Sequence, residues 1–194
     1  MSPGLFLLRV IGAMVPAFFI WWIIGSVWLQ PAVILTDYLL SAWFPYTFYD
    51  LKLVGNIVVA LTQWDNVNGT FVPSSMIGTH LGINFNIRVL SYSFPFFFAL
   101  QIALWDIQNT VKIAMALIAL YLVLIISMAV VLAKMIMINL GLEPVFIETT
   151  LYWYANPELI ILGHQAATLL LPTLAPTLLW IAVNQNRIKG FISK

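Results

Sequence analysis

Few side chains in this 194-residue chain could do chemistry, and most of them stand in or beside apolar runs. His164 and Gln165 are adjacent, and Thr168 follows one helical turn later. On a helix, positions i, i+1 and i+4 project within about 100° of one another, so the three share a face. Such a group could line a ligand pocket, bond to a neighbouring helix or subunit, or ligate a metal. A metal asks for more, because imidazoles normally bind in twos and threes with carboxylates or thiolates. The other histidine, His80, is distant in sequence, and cysteine is absent. Met135 and Met137 could offer soft sulfur to copper, although methionine in a membrane helix usually packs. Interhelical hydrogen bonding fits the His164 group best. No bound metal and no other cofactor is expected on this chain alone.

Lys134 ends an apolar run. It could form an intramembrane ion pair with Glu143, Glu148 or Glu158, or lay its stem in hydrocarbon and place its ammonium among headgroups. Arg88 stands just ahead of another apolar run. It could clamp a partner carboxylate or a lipid phosphate, or serve as an interfacial anchor. Asn68-Gly69-Thr70 matches a glycosylation sequon, but a turn explains the same residues. The chain has no phosphate-binding glycine loop, no paired catalytic carboxylates and no Ser/His/Asp order. The expectation is a protein that is not an enzyme.

The elements that carry these residues are membrane spans. From Ile113 to Ala133 no charge occurs, and ~20 apolar residues in a helix cover the ~30 Å core of a bilayer. The whole chain is 62% hydrophobic and 8% charged. The expected fold is an all-α transmembrane bundle of four helices with a small extracytoplasmic β-cap between helices 1 and 2. The spans are placed at 10–29, 90–105, 112–138 and 159–183, within one membrane domain covering 1–194. The first, loosened at Pro16, reads as a signal anchor, since no A-x-A-like cleavage site follows it. Pro172 and Pro176 should kink the fourth and free carbonyls that need partners inside protein. Pro31 to Pro45 encloses a piece too short to span, expected as an interfacial helix over 32–44. Thr36, Asp37 and Ser41 would form its polar side, and Val33, Leu40 and Phe44 the other.

The insert over 46–88 is β-like. Leu51, Leu53, Ile57, Val59 and Leu61 alternate imperfectly, and Gly55 suggests a bulge. Asp65 to Gly69 is a turn cluster. Leu81, Ile83, Phe85, Ile87 and Val89 alternate strictly, as a half-buried strand would. So small a sheet needs cover from its own helices or from a partner. Basic residues set the orientation: Arg9, Lys112, Arg187, Lys189 and Lys194 fall on one side, which puts both termini in the cytoplasm. A net charge of +1 gives no argument for nucleic acid.

Two passages resemble a known family. "NFNIRVLSYSFPFFFALQIAL" (Asn84 to Leu104) and "HQAATLLLPTLAPTLLWIAVNQ" (His164 to Gln185) are similar to segments of the exosortase H-associated membrane proteins of Gram-negative bacteria. The opening "LLRV…PAFFIWW" and the β-like insert fit the same family. The resemblance implies a small multi-pass inner-membrane protein that accompanies an intramembrane sorting enzyme. Exosortases are thought to use a cysteine with arginine and histidine, so this cysteine-free chain is not that enzyme. The expected function is a non-enzymatic accessory subunit, with other membrane subunits (an exosortase among them) and lipids as partners. The alternatives are a structural subunit of a bioenergetic, oxidase or pilus assembly, and a small channel or carrier. Lys134, His164, Gln165, Thr168 and Arg88 are the candidate contact residues, and the stripe from His164 through Thr168 to Pro172 and Pro176 is expected to face protein rather than lipid.

Overall fold

The computed structural model describes residues 3–104, 110–140, 157–185 and 188. Glu143 and Glu148, two of the three acids proposed for Lys134, lie outside them, as do Arg187, Lys189 and Lys194. The elements run α1 (Pro3–Trp43), β1 (Phe48–Val54), β2 (Ile57–Thr62), β3 (Trp64–Val67), β4 (Thr70–Pro73), α2 (Ser74–Ile77) and β5 (Gly82–Asn86). Then come α3 (Arg88–Ser91), α4 (Ser93–Leu104), α5 (Thr110–Leu140), α6 (Pro157–Gln165), a π turn (Ala166–Leu170) and α7 (Leu171–Val183). Among the described residues three stretches are long and apolar enough to cross a membrane: Gly4–Gly25 in α1, all of α5, and Glu158–Val183. Arg88–Leu104 is a shorter apolar helix. The described residues are thus mostly helical, with three candidate spans and a small β region.

α5 shows how the sequence assigns faces. Ala116, Leu120, Leu124, Met128, Leu132, Ile136 and Leu140 recur every fourth residue, and all are buried. Met115, Ile118, Leu122, Ile126 and Ile138 are exposed apolar side chains, as lipid-facing positions require. Each four-residue step advances ~40° around a helix of 3.6 residues per turn, so the buried stripe winds and meets different neighbours along its length. α6 and α7 pack on α5, while α4 packs between α1 and α7.

In place of a separate interfacial helix over 32–44, residues 32–43 continue α1 without a break through Pro31, and Phe44 directly follows its end. A proline costs a helix one N–H bond and crowds the carbonyl four residues back. Here the Tyr121 hydroxyl of α5 fills the gap, accepting from the Ala32 N–H (3.1 Å) and donating to the Trp28 carbonyl (2.9 Å). Thr36 also leaves the expected polar side. It is fully buried with Val33 and Leu40, and its hydroxyl bonds back to the Ala32 carbonyl at 2.8 Å.

The β region forms an antiparallel sheet in the order β1-β2-β5 and a separate β3-β4 hairpin. Gly55 is not a bulge. It opens the two-residue turn between β1 and β2, with φ +63° and Val54 paired to Ile57. The register irregularity lies instead between Phe48 and Asp50. The turn sets the phase of β2, so Val58 and Ala60 are buried while Ile57 is exposed. Asn68 and Gly69 form the second tight turn, both at positive φ as a two-residue hairpin of primed type requires. The strand expected over 81–89 stops at Asn86, and Arg88 and Val89 begin α3. Ile83 and Ile87 pack into the same core as Leu40 of α1, Phe44 just after it, and Leu132 and Ile136 of α5, so the chain's own helices cover the sheet.

At the α1–β1 junction Asp37 faces Asp50. Burial and the Asp50 carboxylate push Asp37 above the ordinary carboxylate range, and the nearby Leu51 N–H, which donates to Asp50 Oδ1 at 2.9 Å, pulls part of the way back. The folded state therefore keeps this proton at pH values where the unfolded chain has lost it. Stability falls as pH rises from the ordinary carboxylate value through the raised one, and at neutral pH the ionised group opposes folding. Asp37→Asn is expected to raise the melting temperature at pH 7 and to flatten this part of the pH dependence. Equal melting shifts at pH 4 and pH 7 would contradict the assignment.

Candidate functional site

The most distinctive site is a furrow between α1 and α4. Ala13, Ala17 and Ala99 are buried where the helices meet, and small residues let backbones approach closely in a membrane. Beside this seam is an almost wholly apolar cavity of about 310 Å³, lined on α1 by Pro16, Ala17, Ile20, Trp21, Ile24, Gly25 and Trp28. Phe94, Pro95, Phe98 and Ile102 close the α4 side. Pro16 and Ile102 also line a second cavity of about 660 Å³, which continues along Gly12, Ala13 and Ala103 toward Arg9.

Arg88 sets the polarity of the site. The turn from β5 into α3 directs its side chain back onto α1, where Nη2 donates to the Trp22 carbonyl at 3.1 Å. The guanidinium lies 5.8 Å from the centre of the Trp21 ring and 5.6 Å from that of Trp22, a cation–π contact with each. Nε is enclosed and has no hydrogen-bond partner among the described residues. Trp21 belongs to both features, since it lines the cavity and stacks on the cation.

The other candidates are less concentrated. His164 is half-buried, with Nδ1 enclosed and unpartnered among the described residues, and it lies within electrostatic range of Lys134 of α5. Gln165 is exposed. Thr168 donates to the His164 carbonyl at 2.7 Å, so its hydroxyl is satisfied within its own helix. Pro172 and Pro176 are buried. Within this chain the stripe therefore divides, its proline end covered and its Gln165 end open. Instead of a simple proline kink, the helix makes a π turn just before Pro172, and the Leu171 N–H bonds the Ala166 carbonyl five residues back. Thr173 and Thr177 bond back to the Leu170 and Thr173 carbonyls.

His80 belongs to the β region, stacked 4.1 Å from Tyr49 with Nδ1 2.8 Å from the Thr62 carbonyl. A carbonyl only accepts, so Nδ1 carries the proton that is donated. Among the described residues no group of three or more His, Asp or Glu could hold a metal.

Two features were not read from the sequence. Asn184 donates to Gln101 at 3.0 Å in a buried side-chain pair joining α7 to α4, and Trp180 Nε1 donates to the Leu100 carbonyl at 3.1 Å beside it. Asn184 and Gln101 are 83 residues apart, and nothing local to either announces the other. The second is Gly163, where α6 meets Val130 of α5.

No curated protein and no solved structure matches the chain. The family model for the exosortase H-associated membrane protein matches residues 1–187, nearly the whole length, including Arg88, the α1–α4 furrow and the π-turn helix. The chain belongs to the exosortase H-associated membrane proteins.

Proposed function

We propose that this chain is a non-enzymatic accessory subunit of an exosortase-type protein-sorting system in the bacterial inner membrane. The observation that carries the reading is the family match over residues 1–187, whose description joins the words exosortase and membrane protein. The physical support is a chain whose α1, α5 and α6–α7 present wide apolar faces while its β region is anchored on its own helices. In this reading α4 is the fourth spanning helix, the β region is an extracytoplasmic cap, and both termini are cytoplasmic, as the distribution of basic residues favours. Gln165, Lys134 and the exposed side of α6 are then the surface offered to a partner.

Purification of a tagged chain in mild detergent, with identification of what accompanies it, tests the association. An exosortase is expected among the co-purifying proteins. Recovery with redox or pilus subunits instead, or as an ion-conducting homo-oligomer, would overturn the proposal. Protease protection in sealed inner-membrane vesicles tests the topology: cleavage between Gln63 and Gly78 from the cytoplasmic side would reverse it.

A further inference from the structure

We infer that Arg88 and the α1–α4 furrow form a binding site for one anionic phospholipid, with phosphate on the guanidinium and an acyl chain in the furrow. Charge complementarity gives the first argument. Among the described residues no carboxylate pairs with Arg88. One of its five N–H groups is spent on the Trp22 carbonyl, which leaves further donors in the planar fork that suits phosphate oxygens. Stacking on Trp21 and Trp22 fixes the plane of that fork, and tryptophan is the residue that membranes concentrate at the headgroup level.

Shape gives the second argument. From Trp28 to Gly12 the joined cavities follow α1 for ~24 Å at 1.5 Å per residue, and the part that runs from the cation at Trp21 to Gly12 is ~14 Å, about as deep as one leaflet of a ~30 Å hydrocarbon core. The furrow is largely apolar, with Arg9 at its far end, and it meets the cation through a shared side chain, Trp21. A hydrocarbon chain tethered to an anion satisfies both ends at once. A free phosphate would leave the furrow empty, a lipid without phosphate would leave the guanidinium without a counter-charge among the described residues, and a zwitterionic phospholipid would bring its own cation beside the guanidinium.

The inference rests on α1 and α4 lying in the bilayer, which carbonate extraction of membranes expressing the chain checks independently. The test itself is native mass spectrometry of the intact protein released from nanodiscs containing equal phosphatidylglycerol and phosphatidylcholine. One phosphatidylglycerol is expected to stay bound, at least tenfold over phosphatidylcholine. Arg88→Gln is expected to erase the preference, and Arg88→Lys to keep part of it, because an ammonium retains the charge without the fork. Gly12→Leu fills the furrow at a position where an added Cβ meets nothing within 4 Å, and is expected to lower retention several-fold. Equal retention of the two lipids by the wild type, displacement of the lipid by inorganic phosphate, or an unchanged Arg88→Gln profile would each overturn the site. So would loss of exosortase from Arg88→Gln with lipid retention intact, since that would place a partner carboxylate on the guanidinium.

Discussion

Replacing Gly163 with leucine is expected to separate α6 from α5 and to destabilise the protein by about 3 kcal/mol, the upper end for overpacking. The geometry leaves little room for a milder outcome. A Cβ built on Gly163 would stand 2.9 Å from Cγ1 of Val130, closer than real Cβ contacts come. Valine in a helix is held to one strongly preferred χ1 rotamer, so the methyl cannot swing aside. Gly163→Ala alone sets two terms against each other: helix propensity favours alanine by about 1 kcal/mol, and the clash costs about 1–3 kcal/mol. Combining it with Val130→Ala removes the clash and leaves the propensity gain. The double variant is therefore expected to melt above Gly163→Ala, read by fluorescence-detected size exclusion after a temperature series in detergent. Identical melting of Gly163→Ala with and without Val130→Ala would show that the two helices do not meet at this pair.

Gly163 also shows where the sequence stops being legible. Long apolar runs report spans directly, because hydrocarbon thickness fixes their length, and α5 and the last helix lie where those runs are. The Asn68-Gly69 turn and the alternation through Ile83 and Phe85 were equally readable, since both are local signals. Pro31 misled, because proline ends helices in isolation, whereas a hydroxyl from α5, 90 residues on in sequence, lets this one continue. Gly55 misled for a related reason: a period break marks a bulge or a turn equally well, and only the pairing of Val54 with Ile57 decides. For the candidate site, Arg88 was visible as a lone cation before an apolar run. Its bed of Trp21 and Trp22 was not, because a contact spanning 66 residues leaves no local pattern.

Tyr121→Phe is expected to destabilise the protein by about 1–3 kcal/mol, the range for leaving a partly buried donor or acceptor without its bond. Its hydroxyl stands between the Ala32 N–H and the Trp28 carbonyl, the pair four residues apart that a regular helix joins directly. Pro31 explains why it is needed there. A pyrrolidine ring inside a helix crowds the carbonyl four residues back, here that of Val27, and a side chain inserted into the ladder is one of the few ways a helix passes such a point. The same hydroxyl ties α5 to the upper half of α1, the half on which the β sheet packs. Pro31→Ala lets the turn close, so Ala32 and Trp28 can bond each other without help. The cost of Tyr121→Phe is therefore expected to fall by at least half in the Pro31→Ala background, a coupling measurable as a double-mutant cycle on thermal stability. If Tyr121→Phe costs the same with alanine as with proline at position 31, the hydroxyl is an ordinary interhelical bond and the continuity of α1 has another cause.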